Sequence, residues 1–145
     1  MAGDYDLAHI RLFHRHLFGA IYPWAGEIRT VSIARAVNDV VCLPQHIEGF
    51  AADVFGQLVA ESGLRGLTRR QFVERLAHYY GEINALHPFR DGNGRAQRSF
   101  LRQLANDAGR RLSWANLDPD GNDRASAASL RGDLRPMLDM LIGPQ

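Results

Sequence analysis

Apolar positions divide the chain into helical stretches with one interruption. Leu7, Ile10, Phe13, Leu17 and Ile21 recur three or four residues apart, which predicts a first helix from about Asp6 to Ile21 with these side chains turned inward. Tyr22-Pro23-Trp24-Ala25-Gly26 ends it with turn residues. The period then changes. Two short β-prone runs, Ile28 to Ile33 and Val40 to Leu43, flank Asn38-Asp39 and predict a small hairpin. Helical spacing returns from about Pro44 to Ser62, with Ile47, Phe50, Val54, Phe55 and Leu58 on the inner face. Thr68 and Gln71 form a capping-box pair that opens a third helix, which carries Phe72, Leu76, Tyr79, Ile83 and Leu86 inward. It stops at His87-Pro88, because proline disfavours helical backbone in the residue before it. A fourth helix follows the Gly92-Asn93-Gly94 turn and runs to about Ala108, where Gly109 is suited to a C-terminal cap. The tail from Asp118 to Ile142 has room for one or two more. The pattern predicts an all-α fold with one small β-hairpin.

Composition narrows the class. The 145 residues are 46% hydrophobic and 23% charged, which suits one globular domain spanning 1–145. A formal net charge of +1 argues against a general nucleic-acid binder. No apolar run approaches the roughly 18 residues that a membrane span needs, and no basic-then-apolar leader opens the chain. Cys42 stands alone, so neither a disulfide framework nor a cysteine metal cluster is expected. A cytoplasmic location is the expectation, with delivery into a host cell left open.

The chemistry concentrates in "HPFRDGNGRAQR", residues 87 to 98, which falls where the third helix hands over to the fourth. A helix N-terminus leaves backbone N–H groups unpaired and carries partial positive charge, so it suits anions. Gly92 and Gly94 are expected to let the backbone take positive φ and form a concave nest of amides. Asn93 offers a neutral donor into the same space. Arg95 and Arg98, at i and i+3 on the new helix, add two forked donors for phosphate oxygens. Asp91 is a hard oxygen ligand of the kind that holds Mg²⁺ together with phosphates. His87 has an unperturbed pKa of about 6.5, suited to a general base. Together they describe a nucleoside triphosphate held with its metal beside a base. Each residue also has a plain structural reading: His-Pro as a terminator, Gly-Asn-Gly as a tight turn, the arginines as a solvated face, Asp91 as a cap. It is their coincidence at one helix start that points to function. Phe89 reads as a core anchor for the loop.

The same stretch resembles the signature of Fic domains, histidine-x-phenylalanine-x-acid-glycine-asparagine-glycine-arginine-x-x-arginine, with every defining position filled. "HLFGAIYPWAGEIRT" (16 to 30), "EINALHPF" and "FLRQLA" extend the likeness over most of the chain. The resemblance implies a helical core with a β-hairpin flap at about 28–43, and transfer of AMP from ATP to a hydroxyl side chain of a target protein. By position, His87 resembles the base, Asp91 the Mg²⁺ ligand, and Gly92, Asn93 and Gly94 the anion nest with Asn93 on the α-phosphate. Arg95 resembles the β-phosphate contact and Arg98 the γ-phosphate contact. Thr30, Val31, Ser32 and Ile33 lie where the family's flap adds its target as a strand. The flap "TVSIARAVNDVVCLP" lacks the aromatic residue expected near its second strand.

Many Fic proteins resemble one another in an inhibitory helix, serine or threonine-x-x-x-glutamate-glycine or asparagine, whose glutamate pairs with the second arginine. "PQHIEGF" ends in Glu48-Gly49, but Pro44 stands where the hydroxyl residue belongs. The expectation is therefore a toxin-antitoxin type of member, inhibited by a small separate protein that carries the helix, with a lost N-terminal segment as the competing explanation. Two further readings stand beside AMP transfer: a related phosphotransferase, and a catalytically silent module that binds partners through its flap.

Overall fold

The computed structural model describes residues 1–36, 39–112 and 118–142, with the backbone alone at 34–36, 39–40 and 142. Among the described residues, six α-helices and one short strand pair follow in the order α1 (Leu7–Phe18), β1 (Ala34–Ala36), β2 (Asp39–Val40), α2 (Ile47–Ala60), α3 (Arg69–Leu86), α4 (Asn93–Asp107), α5 (Pro119–Leu130) and α6 (Arg135–Ile142). Single 3₁₀ turns at Pro44–His46 and Ser62–Leu64 flank α2.

Local chemistry sets most boundaries. Asp6 caps α1, its carboxylate accepting from the His9 N–H at 2.9 Å. The capping box forms in full: Thr68 Oγ1 accepts from Gln71 N–H at 3.2 Å, and Gln71 Oε1 accepts from Thr68 N–H at 3.0 Å. At the end of α4, Gly109 takes φ +79°, while the N–H groups of Gly109 and Arg110 donate to Asn106 and Ala105, a Schellman closure. The tail resolves into α5 and α6. Asp118 caps α5 and Pro119 occupies its first turn.

Helix α3 is the axis, with α2, α4, α5 and α6 packed around it and α1 laid on α4. Phe72, Leu76, Tyr79, Ile83 and Leu86 are all buried, as the spacing predicts, and share one core with Ile47, Phe55, Phe100, Leu101, Met137 and Leu141. Buried hydrogen bonds seat α5 on α3. Tyr80 donates to Asn122 Oδ1 at 2.7 Å, and Asn84 Nδ2 donates to Ser126 O at 3.1 Å.

Two expectations need correction. Helix α1 stops at Phe18 rather than Ile21; Ile21 is 64% exposed and Leu17 only half-buried. The inner face instead carries His9, Ile10, Phe13, His14 and Phe18, so two histidines occupy positions that the apolar pattern left out. The run Ile28 to Ile33 forms no strand, and the second strand is Asp39–Val40 rather than Val40 to Leu43. The pair is short, Ala34 opposite Val40 and Ala36 opposite Asp39, because both its roots bond elsewhere. Arg29 N–H donates to Pro88 O at 2.9 Å, and Cys42 N–H donates to Ala85 O at 2.8 Å. Asn38 lies outside the described residues.

Candidate active site

The loop from His87 to Gly92 is held at both ends. Leaving α3, His87 enters the left-handed region at φ 44°, ψ 63°, after its N–H has made the last helical bond to Ile83 O at 3.0 Å. A non-glycine residue held there stores about 1–3 kcal/mol and persists only where its surroundings over-determine it. Pro88 and Phe89 then turn into the core, and the Phe89 ring, fully buried, stacks on His14 at 4.0 Å between centroids.

Asn93 has a role that the sequence did not reveal. Its side chain is buried, with Oδ1 accepting from Phe89 N–H at 2.9 Å and Nδ2 donating to Phe89 O at 2.7 Å. One N–H of the side-chain amide expected to serve a phosphate is thus engaged with the loop, because Phe89 brings its own backbone against the first turn of α4.

Gly92 is the N-cap of α4 at φ +77°, and no side chain caps this end, so the N–H groups of the first turn lie open to an anion. Here the amide nest departs from expectation in one respect. Gly94 is an ordinary helical residue without positive φ; its lack of a Cβ makes room for Arg98, whose Nη1 would sit 3.0 Å from such an atom. Arg98 is half-buried, and Arg95 is exposed with its guanidinium 5.1 Å from the Phe18 ring centroid. Two forked cations therefore flank an open helix N-terminus.

Asp91 is exposed and well anchored. Its Oδ1 accepts from Gly92 N–H at 2.9 Å and its Oδ2 from the Tyr22 hydroxyl at 3.2 Å. Hydrogen bonding to this carboxylate raises the Tyr22 pKa. Tyr22 stacks on Trp24 at 4.4 Å and 11°, and Arg90 lies 5.4 Å from the Trp24 ring.

His14 connects these parts. It is fully buried; Nδ1 accepts from Gly26 N–H at 2.9 Å, so the proton is on Nε2, which donates to Asp91 O at 2.8 Å. Burial lowers its pKa, although the Asp91 backbone bond and charge pull the other way. The fold binds the neutral ring, whereas the unfolded chain takes up a proton at the ordinary value of about 6.5. This contribution to stability is therefore complete above that pH and is lost as pH falls through it towards the lower folded-state pKa. We expect the wild-type urea midpoint to drop more steeply than that of His14→Gln between about pH 7.5 and 5, around the ordinary histidine pKa. Parallel midpoints in the two proteins would contradict the lowered pKa of His14.

A buried arginine completes the arrangement. Arg29 is 2% exposed and donates from Nε to His87 O at 2.6 Å, from Nη1 to Val31 O at 2.8 Å, and from Nη2 to Cys42 O and Leu86 O. Of the residues expected to dock a target, Thr30, Val31 and Ser32 are exposed and Ile33 is half-buried, all outside any strand. The structure thus brings His87, Asp91, Gly92, Asn93, Gly94, Arg95 and Arg98 into one continuous loop and helix start. His14, Tyr22 and Arg29 are the contributors that pattern reading passed over. Arg29 left a faint signal, a single charge inside a β-prone run; His14 left none, since an isolated polar residue beside an apolar stripe reads as surface.

A basic loop-and-helix start of this kind, set in a helical bundle, defines a candidate anion-binding and group-transfer site. The chain belongs to the Fic/DOC family, whose model matches residues 4–105. It is 41% identical over 133 residues to the protein adenylyltransferase VbhT of Bartonella schoenbuchensis, covering 92% of this chain and 28% of that protein. It is 44% identical over 128 residues to the probable protein adenylyltransferase Fic of Escherichia coli, covering 88% of this chain and 64% of that one. The chain thus spans less than two thirds of either relative. Among solved structures it is similar to the BepC effector of Bartonella tribocorum with bound AMPPNP, at TM-score 0.88 and 26% identity over 94% of this chain and 72% of that one. It is also similar to the N-terminal Fic domain of a Bartonella quintana effector with bound ADP, at TM-score 0.90 and 26% identity, covering 97% and 72%.

Proposed function

We propose that this chain transfers AMP from ATP to a hydroxyl side chain of a target protein. The observation that carries the reading is the pairing of a left-handed His87 at the end of α3 with an uncapped, arginine-flanked start of α4, the two joined by a loop pinned through Phe89 and Asn93. The relatives named as protein adenylyltransferases, and the AMPPNP and ADP held by the structural neighbours, support it.

In this reading the first-turn N–H groups of α4 receive the phosphates of ATP, Arg95 the β-phosphate and Arg98 the γ-phosphate. His87 accepts the proton of the target hydroxyl. The freed oxygen bonds to the α-phosphorus, the bond to the pyrophosphate oxygen breaks, and pyrophosphate departs with the electron pair. The helix end and the two guanidinium groups stabilise negative charge on the departing group. Asp91 fits a Mg²⁺ ligand. Its exposed carboxylate accepts from Gly92 N–H at the head of α4, beside the amides proposed to receive phosphate. Mg²⁺ bound there would neutralise phosphate charge.

The target is proposed to dock along the strand pair and the segment Thr30 to Ile33. Val31 O is already bound by Arg29, which shifts strand addition towards β1. Regulation by a small protein bearing a glutamate helix also suits the surface. A cleft of about 1050 Å³ between α1 and α4, beginning one residue beyond Arg98 at Ser99, is lined by His16, Arg102 and Arg111 and by no carboxylate among the described residues. Glu48, the internal near-match, lines a different cleft with Asp4 and Asp6. No helix among the described residues is long and apolar enough to cross a membrane.

The reaction is tested by its small product. Incubated with ATP and lysate, the protein should release pyrophosphate; release of ADP would mark a phosphotransferase, and neither product a silent binding module. Calorimetry tests the phosphate assignments. Arg95→Ala should weaken ATP and ADP alike, while Arg98→Ala should weaken ATP and leave ADP nearly unchanged. Equal loss for both nucleotides in Arg98→Ala would show that Arg98 does not meet the γ-phosphate.

A further inference from the structure

Four successive carbonyls at the end of α3 and the start of the loop, those of Ala85, Leu86, His87 and Pro88, all accept hydrogen bonds from the two segments that lead into and out of the strand pair. Cys42 N–H takes Ala85 O at 2.8 Å, Arg29 Nη2 takes Leu86 O at 3.4 Å, Arg29 Nε takes His87 O at 2.6 Å, and Arg29 N–H takes Pro88 O at 2.9 Å. A helix C-terminus leaves its last carbonyls unpaired and carries partial negative charge, so a buried cation is favourably placed there. Among the described residues every acceptor of the Arg29 side chain is a main-chain carbonyl. A guanidinium alone has the planar spread of donors that meets Val31, Cys42, Leu86 and His87 together; an ammonium has three donors on one atom and cannot span them.

We propose that Arg29 is a positioning residue for His87, one side chain that both fixes the left-handed backbone of the base and seats the two roots of the strand pair against it. The proposal rests on the AMP-transfer reading for its rate consequence, but not for its structural one. The phosphate-binding part of the loop has separate anchors, His14 to Asp91 O and Asn93 to Phe89, so it does not depend on Arg29. Removing Arg29 therefore displaces the base and loosens the strand pair while the nucleotide still binds. A misplacement of about 1 Å can cost about 10²-fold in rate.

Arg29→Met and Arg29→Lys test this. Both should lose about 10²-fold in kcat for AMP transfer at saturating ATP. Their ATP affinity by calorimetry should stay within about twofold of wild type, because the separately anchored first-turn amides are unchanged. The His87 ring resonances, identified by their absence in His87→Ala, should shift in both variants while those of His14 stay in place. Amide exchange at Cys42 should quicken. A wild-type rate in Arg29→Lys, or ATP affinity and transfer falling together with the folded fraction, would overturn the proposal, the second outcome reducing Arg29 to a stabilising residue. If Arg29→Met does not fold, Arg29→Lys, which keeps the charge at the helix end, carries the same comparison. If the wild type transfers nothing, the AMP-transfer reading fails, and the resonance and exchange measurements still decide the role of Arg29: unchanged His87 signals and unchanged Cys42 exchange would refute it.

Discussion

His87→Ala is expected to abolish protein modification while ATP continues to bind with nearly wild-type affinity. The imidazole works on the target hydroxyl and contacts no phosphate in the proposed reaction, and loss of a general base costs about 10²–10⁴-fold in rate. One structural effect must be separated from the chemical one. His87 sits at φ 44°, and alanine tolerates left-handed backbone less well than asparagine does. His87→Asn keeps a residue suited to that conformation and removes the base. Both variants should be inactive, with His87→Asn the more stable by thermal melting. Substantial transfer by either would remove His87 from the mechanism.

Gly92→Ala should have the largest effect on nucleotide binding of any single methyl group added to the loop. A Cβ at Gly92 would lie 2.4 Å from Phe18 Cε2 and 2.6 Å from Cζ, well inside van der Waals contact, and φ is +77°. Left-handed backbone costs a non-glycine residue about 1–2 kcal/mol. Overpacking adds about 1–3 kcal/mol. Phe18 has little room to yield, since it packs on His14 at 4.8 Å and on Tyr22 at 5.7 Å and carries Arg95 over its face. The strain therefore falls on the first-turn amides, and ATP affinity should drop at least tenfold, about 1.4 kcal/mol. Phe18→Ala in the same chain should recover part of the stability by giving the methyl group space, a coupling that a double-mutant cycle measures. Gly94→Ala is the control. Its methyl group meets only the flexible end of Arg98, so stability should hold while ATP affinity falls modestly. Equal effects at the two glycines would show that the Gly92 contact with Phe18 does not shape the site.

The helices and the reactive loop were legible because their signals are local. The capping box at Thr68, the Gly109 closure and the apolar spacing of α3 depend on residues within a few positions of one another, and each appears where the pattern placed it. The loop was legible for the same reason, since His87, Asp91, Gly92, Arg95 and Arg98 are adjacent in sequence. Its support was not. His14 reaches Asp91 across 77 positions, Arg29 reaches His87 across 58, and Tyr22 reaches Asp91 across 69. Such contacts follow from how α1 lies on α4 and how residues 26–31 lie on the end of α3, which no local period encodes. The strand run at Ile28 to Ile33 failed for a related reason. β-propensity records that a side chain suits a half-buried pleated surface. In this segment the burial comes from Arg29 beneath the end of α3, and the carbonyl of Val31 bonds that side chain. Asn93 adds a further contact that no local period encodes, its side chain bonding both backbone groups of Phe89.

The central claim is that this loop and helix start move the α-phosphoryl group of ATP, with its nucleoside, onto a protein hydroxyl. The most direct test uses ATP labelled at the α-phosphorus in one arm and at the γ-phosphorus in the other, with Mg²⁺, a protein lysate, and either wild type or His87→Asn. The account predicts covalent label on protein from the α-position only, with wild type only. Label from the γ-position, or equal α-label with His87→Asn, would contradict it.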